Sequence, residues 1–188
     1  TGLKESHSAS EGAPMAQLPI WDYSVGKRVN TMNLGPVSAP IGSLAFSHNG
    51  GILIAGDDEG MLRFFDMRDY KTFQAKNITN ARILALRFSP DFNSIISLST
   101  TGALQQWSTK MFGTCLQQWN VLGSTAHYRE LPFADICFSE NDQYLATSSP
   151  SGTVPLYGLS NSSATPMLLP PIPGRVVSLD WHSRYVPN

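Results

Sequence analysis

Charged residues are scarce in this sequence. Only 14% of its 188 residues are Asp, Glu, Lys or Arg, and the formal net charge is −1, whereas an average globular domain has about 25% charged residues. Binding nucleic acid or an anionic bilayer through charge alone requires a basic field, and the sequence has none. We therefore expect no nucleic-acid partner, and we expect any membrane association to be indirect and peripheral.

Cysteines and long apolar runs are also few. Cys115 and Cys137 are the only cysteines, and both fall on predicted strands, which favours small buried side chains in a reducing compartment over a disulfide framework. No apolar run approaches the roughly 18 residues of a membrane span, and no secretory leader is visible. Because the sequence begins at Thr1 rather than Met, we expect an internal piece of a longer cytoplasmic polypeptide.

Catalytic motifs are missing as well. The sequence has no phosphate-binding glycine loop, no GxSxG elbow, no HExxH and no paired CxxC. Its four histidines lack metal-ligand spacing. The acidic run Asp57, Asp58 and Glu59 is typical of a tight turn, which favours Asp for backbone reasons. We expect no enzyme activity, no metal and no other cofactor.

A repeated pattern of short strands is what the sequence does contain. Residues 41–66 predict three strands separated by two tight turns, and similar stretches follow at 82–107 and 133–157, with the start of another at 175–181. The aromatic residues that close the first strand of each copy are 42, 50 and 43 residues apart: Phe46, Phe88, Phe138 and Trp181. This spacing fits a unit of about 40 to 45 residues with four strands, plus one insertion.

The repeat predicts an all-β chain of four-stranded antiparallel blades. A start rich in Ser, Ala and Gly, residues 1–17, is predicted to be mobile because it cannot bury enough apolar surface. Residues 18–188 are predicted to form about three complete blades plus partial ones. The predicted blade pieces are 18–34, 41–75, 82–119, 133–169 and 175–181.

The third strand of each repeat ends in an aromatic residue followed by a small or acidic one. The endings are Trp21-Asp22, Phe65-Asp66, Trp107-Ser108 and Tyr157-Gly158. This pattern resembles the WD-repeat β-propeller family, although only one copy keeps the literal Trp-Asp pair. The Gly-His pair that often opens such repeats is absent, so packing is predicted to contribute more of the stability than a polar network. Phe88 in particular is predicted to be a core residue.

Within that family, the blade order and the insertion are similar to those of WD-repeat regulators of endosome maturation. The resemblance implies a non-catalytic scaffold that acts as an effector of a Rab7-type small GTPase. It further implies negative regulation of class III phosphatidylinositol 3-kinase, through subunits of that complex, as early endosomes become late ones. The implied location is the cytoplasmic face of early and late endosome membranes.

Partner-binding residues are predicted on one rim of the blades. In a propeller, the connectors between blades lie at the same rim as the turns between second and third strands, and the insertion would lie there too. The residues predicted to contact partners are Asp57, Asp58, Glu59, Asn77, Asn80, Thr101, His127, Tyr128, Arg129 and Ser151.

An alternative function follows from residues 53–68. This stretch resembles the box through which some WD-repeat proteins dock on the adaptor of cullin-4 ubiquitin ligases as substrate receptors. The resemblance assigns the contacts to Asp66 and Arg68. The simpler interpretation is that Asp66 ends a strand and Arg68 is a solvated turn residue.

Overall fold

The structure is a computed structural model, and it describes residues 17–34, 39–120, 135–141, 143–148, 152–160, 165–174 and 176–182. The predicted mobile start therefore lies outside the described residues, except for Gln17. Every regular element in the described residues is a β-strand, and every strand pair is antiparallel. The chain divides into two compact units, Thr1–Pro40 and Ile41–Asn188.

The described residues of the first unit form one hairpin. Strand β1 (Gln17–Asp22) pairs with β2 (Lys27–Asn33). The turn between them is held by Asp22, whose carboxylate accepts hydrogen bonds from the Ser24 amide at 2.9 Å and the Ser24 hydroxyl at 2.6 Å. Those bonds stabilise the ionised form and lower the pKa of Asp22.

In the second unit the residues that the structure describes form three four-stranded sheets, which we call the first, second and third blades. The first blade is β3 (Ile41–Phe46), β4 (Ile52–Asp57), β5 (Met61–Asp66) and β6 (Lys71–Asn77). The second is β7 (Ile83–Phe88), β8 (Ser94–Ser99), β9 (Ala103–Ser108) and β10 (Cys115–Asn120). The third is β11 (Ile136–Phe138), β12 (Tyr144–Thr147), β13 (Pro155–Gly158) and β14 (Met167–Leu168). In each blade the strands pair in chain order.

The predicted equivalence of the repeats is confirmed by register for three of the four aromatic residues, and not for Trp181. Phe46, Phe88 and Phe138 each end the first strand of a blade, and they pair with Leu53, Ile95 and Leu145 at the start of the second strand. Residues 176–182 form no strand, which differs from the strand expected at 175–181. A strand requires a hydrogen-bonded partner, and the described residues offer this segment none.

The turns between first and second strands share one hydrogen-bond pattern, which we call the serine clamp. In the first blade the Ser47 hydroxyl donates to Asn49 Oδ1 at 2.9 Å and accepts the Ile52 amide at 2.9 Å. Ser89 makes the same two bonds with Asp91 and Ser94, and Ser139 makes them with Asn141 and Tyr144. An Asx side chain that bonds its own turn is a common way to stabilise such a bend.

Apolar side chains form two layers between successive blades. Ile54, Leu62 and Phe64 of the first blade pack against the second blade, and Trp119 and Leu104 of the second pack against the third. Adjacent residues of one strand point to opposite faces. The neighbours Ile95 and Ile96 accordingly lie in different layers, and β8 is buried along its whole length.

Two details of the core differ from expectation. Phe88 is half-buried at the edge of the first layer rather than inside it, and Phe46 is 54% exposed. The ends of the first strands border a groove, so these rings do not face a neighbouring blade fully. The blades also contain one hydrogen bond of the polar side-chain network that was expected to contribute less than packing. In this bond Trp107 Nε1 donates to the buried Ser97 hydroxyl at 2.9 Å.

Candidate functional site

The turn between β4 and β5 is organised by Asp57. Its carboxylate accepts the amides of Glu59 at 3.0 Å and Met61 at 2.9 Å, and it pairs with Arg63 Nη1 at 2.7 Å. Asp57 is buried, so these bonds are partly shielded from solvent. The structure therefore uses Asp57 to hold the turn, while the neighbouring acidic residues reach the rim.

Gly60 lets this turn contact the connector between the first and second blades. Its carbonyl accepts the Ile78 amide at 2.9 Å, and its φ is +84°. A Cβ atom at residue 60 would lie 1.9 Å from the carbonyl oxygen of Thr79. Only glycine accommodates both the positive φ and this close approach.

Arg82 connects the rims of the first and second blades. Its side chain pairs with Asp58 at 3.2 Å, and its carbonyl accepts the Thr100 amide at 2.9 Å. Next to this connection, the side-chain amide of Asn77 donates to the backbone carbonyl of Glu59 at 3.3 Å. Turn and connector thus lie at one rim, as expected for these blades.

The structure brings several of the predicted contact residues together at this rim, which we call the connector rim. Asp58 is partly exposed, and four others are exposed: Glu59, Asn77, Asn80 and Thr101. The hydroxyl of Thr101 is bonded to that of Ser99 at 2.8 Å. His127, Tyr128, Arg129 and Ser151 lie outside the described residues. The connector rim therefore presents polar side chains from two adjacent blades to solvent.

Asp66 and Arg68 lie at the opposite end of β5. Arg68 donates from its amide at 2.9 Å and from Nε at 3.0 Å to Asp66 Oδ1, and from Nη2 to Oδ2 at 2.5 Å. These bonds hold the pKa of Asp66 at about 2. The Arg68 side chain is 86% exposed, so the pair is a preformed surface feature.

An apolar cleft of about 450 Å³ adjoins the Asp66–Arg68 pair. Ile52, Phe73 and Phe112 line it together with that pair. The cleft is fixed from the second blade, because the Gln74 side-chain amide donates to the Phe112 carbonyl at 2.8 Å and Lys76 Nζ donates to the Gly113 carbonyl. A charged pair beside an apolar cleft is an arrangement that suits docking to a protein surface.

Sequence analysis did not predict a third feature, a groove along the first strands. The groove has a volume of about 780 Å³ and lies along β3, β7, β11 and residues 178–180. At its base Asp135 accepts hydrogen bonds from Arg87 Nη2 at 2.9 Å, from the Ser178 hydroxyl at 2.9 Å and from the Leu179 amide at 3.2 Å. One available signal was an acidic residue, Asp135, directly before an apolar first strand.

Cys137 also lines this first-strand groove. Burial raises the pKa of its thiol to about 11, and the nearby carboxylates of Asp135 and Asp180 contribute to the shift. The thiol is therefore protonated at neutral pH and is a poor nucleophile. Among the described residues there is also no group of His, Cys, Asp or Glu side chains arranged to hold a metal ion.

No helix in the described part of the chain is long and apolar enough to cross a membrane. Residues 26–66 match the family model described as WD domain, G-beta repeat. A chain from the crystal structure of the mitotic checkpoint complex superimposes with a TM-score of 0.74 and 16% identity, covering 90% of this chain and 48% of that one. This structural likeness shows the fold alone.

The three blades have the fold of a β-propeller fragment, and within the chain residues 26–66 match the WD-repeat model. Over 96% of its length the chain is 25% identical to WD repeat-containing protein 91 of Danio rerio. It is 25% identical over 88% of its length to the protein of that name from Xenopus tropicalis, and 27% identical over 80% to the homolog from Dictyostelium discoideum. The chain spans about a quarter or less of these relatives, namely 27%, 24% and 19% of their lengths.

Proposed function

We propose that this chain is part of a non-catalytic scaffold of endosome maturation. The scaffold acts as an effector of a Rab7-type small GTPase, and it lowers class III phosphatidylinositol 3-kinase activity as early endosomes convert to late ones. The observation that carries the proposal is similarity to WD repeat-containing protein 91 along nearly the whole chain. The resemblance to endosomal WD-repeat regulators supplies the two partners. The proposed location is cytoplasmic and peripheral on endosome membranes.

The connector rim is the surface we assign to the GTPase. It presents four exposed polar side chains to solvent: Asn77, Asn80, Glu59 and Thr101. Their supporting turn is held rigidly by Asp57 and by the contact between Gly60 and the connector. A preorganised polar surface loses little conformational entropy on binding, which suits a reversible partner.

A double substitution at the connector rim tests this assignment. In the full-length protein, Asn80→Arg combined with Thr101→Arg adds two bulky charges to exposed positions. We expect the affinity for GTP-loaded Rab7 to fall about tenfold or more, because steric and charge mismatch at an interface costs several kcal/mol. The measurement is a binding titration with purified Rab7 in its GTP-loaded and GDP-loaded forms.

The matched control is Arg68→Ala at the opposite end of the blade, which should bind GTP-loaded Rab7 like the wild type. Absence of any preference of the wild-type protein for the GTP-loaded form would contradict the effector proposal itself. An unchanged affinity of the folded double variant would instead contradict the assignment of the connector rim.

A second candidate function is that of a substrate receptor docking on the cullin-4 ligase adaptor. The observation that favours it is the exposed, prearranged Asp66–Arg68 pair beside the apolar cleft. If this function holds, Arg68→Ala in the full-length protein should reduce recovery of purified adaptor about tenfold or more, as for an arginine at the centre of an interface. Lys71→Ala is the matched control, because Lys71 is a 79% exposed cation close to the same turn. Equal recovery with Arg68→Ala and with the wild type would rule this function out.

A further inference from the structure

The apolar cleft between the first and second blades has an aromatic floor. The ring of Phe73, which is 46% exposed, lies 5.1 Å from that of Phe112, measured between ring centres. Both rings also contact the buried Phe64, at 6.1 and 5.3 Å. The residues that line the cleft lie between positions 49 and 112, a range that the structure describes without a gap. The floor is therefore built by the first and second blades alone, and one of its rings is open to solvent.

Comparison with the boundary between the second and third blades shows which of these features belong to the repeat. Phe73 lies in a bulge of β6, and Leu116 lies in the matching bulge of β10. The hydrogen bond from Gln74 to the next blade also recurs, because the Gln117 side-chain amide donates to the Leu159 carbonyl at 3.2 Å. An apolar residue in the bulge and a glutamine beside it are thus structural parts of the repeat.

The Asp66–Arg68 pair is not shared with the second blade. Ser108 and Lys110 occupy the matching positions there, and the Ser108 hydroxyl accepts the Lys110 amide at 3.2 Å. Both turns keep this bond to the backbone amide, so the turn itself requires neither a carboxylate nor a guanidinium. The repeat therefore does not explain the fixed guanidinium beside the cleft.

Asp66 occupies only one edge of the Arg68 guanidinium. It accepts hydrogen bonds from Nε and Nη2, whereas a guanidinium carries five N–H donors. Among the described residues, none accepts a hydrogen bond from Nη1. The other carboxylate of this turn, Asp69, has its own cation, because Lys71 Nζ lies 3.9 Å from it. A positioned cationic edge with unused donors therefore lies beside the aromatic floor.

We propose that the apolar cleft binds an acidic segment of a partner protein in which a large apolar side chain lies close in sequence to an Asp or Glu. The apolar side chain packs on the exposed face of Phe73, and the carboxylate accepts hydrogen bonds from Nη1 and Nη2 of Arg68. Two parallel bonds to a carboxylate suit the end of a guanidinium, whereas a basic segment would be repelled by it. This inference concerns the same surface as the ligase candidate, but it holds for any partner of that chemistry and depends on neither proposed function.

Peptide selection on the full-length protein tests this inference. Phage-displayed heptapeptides are first depleted on the Arg68→Gln variant and then selected on the wild type, so that peptides bound elsewhere are removed. We expect the recovered peptides to contain a large apolar residue close to an Asp or Glu. Recovery of no peptide, or of peptides without that pattern, would overturn the proposal.

Calorimetric titration of the recovered peptides assigns the carboxylate to Arg68. Replacing the acidic residue of the peptide by its amide should weaken binding to the wild type about tenfold or more, because hydrogen bonds between charged groups are lost. The same replacement should change binding to Arg68→Gln by less than about twofold, since the partner group is already gone. Lys71→Ala, which removes a 79% exposed cation from the same turn, is the control and should bind like the wild type. Equal losses with Lys71→Ala and Arg68→Gln would show that the peptide responds only to the charge of the turn, which would overturn the proposal.

Phe73→Ala tests the apolar half of the site. It removes the open ring and should weaken binding about fivefold or more, the effect of no longer burying about half a phenylalanine side chain. The matched control is Leu116→Ala, since Leu116 occupies the same bulge position in the second blade and is 49% exposed. Normal binding by folded Phe73→Ala would show that the cleft is not the site.

Discussion

Gly60→Ala is expected to destabilise the protein by about 3 kcal/mol or more. The cost has two sources, an unfavourable positive φ for a residue with a Cβ atom and a steric conflict that forces the backbone apart. The conflict is with main-chain atoms, because the new methyl group would lie 1.9 Å from the Thr79 carbonyl oxygen and 2.6 Å from its carbonyl carbon. Chemical denaturation of the full-length protein, followed by tryptophan fluorescence, measures the change.

Gly50→Ala separates the two sources. Gly50 also has a positive φ, +67°, but a Cβ atom there would meet nothing within 4 Å. We expect this control to cost only about 1 kcal/mol, the conformational penalty alone. Equal losses in the two variants would mean that contact between the turn and the connector contributes nothing to stability.

Asp135→Ala is expected to cost about 3 kcal/mol, because it leaves several donors without their acceptor in a largely buried place. The carboxylate receives Arg87 from β7 and both Ser178 and Leu179 from the segment after β14. One side chain therefore links the second blade, the third blade and residues 178–179. Hydrogen exchange should report faster exchange in β11 and in that segment.

Arg87→Ala removes the other half of the same ion pair and serves as the comparison. The Arg87 side chain is 46% exposed, whereas that of Asp135 is 12% exposed. Partly exposed pairs contribute little, so we expect a loss below about 1 kcal/mol. If Arg87→Ala were as damaging as Asp135→Ala, the ion pair rather than the buried acceptor would be the stabilising element.

The blade architecture could be predicted from the sequence because it depends on local signals. Short alternating strands, turn residues and aromatic strand ends recur at a nearly constant spacing, and each signal is contained within a few residues. The same local logic explains Asp57, since a carboxylate in a tight turn satisfies backbone amides. The structure shows those bonds to Glu59 and Met61.

Contacts between blades could not be predicted in the same way. Whether Phe88 is buried depends on how the second blade meets its neighbours, and its half-exposed position follows from the groove beside it. The pairing of Arg87 with Asp135 joins residues 48 positions apart. A single sequence does not reveal such a partner. The packing of the second blade against the third brings the two residues together, and the spacing of the repeat does not predict that contact.

The candidate sites also divide into those that local sequence signals predict and those that depend on contacts between blades. The sequence located the connector rim through turn positions, and the structure adds the Arg82 bridge between Asp58 and the Thr100 turn. The apolar cleft beside Arg68 and the first-strand groove were missed, because each is formed by residues from more than one blade. Phe92, which lines that groove, was an available signal, since it stands where the preceding copy has a glycine.

The second blade contributes side chains to both apolar layers. A cavity made in β8 would thus be transmitted to the blades before and after it. In nearest-neighbour arrays this sharing couples the melting of adjacent units. Mutational tolerance should therefore be low along β8, whose residues are all buried, and high along β6, whose residues are mostly exposed, with inherited variation distributed accordingly.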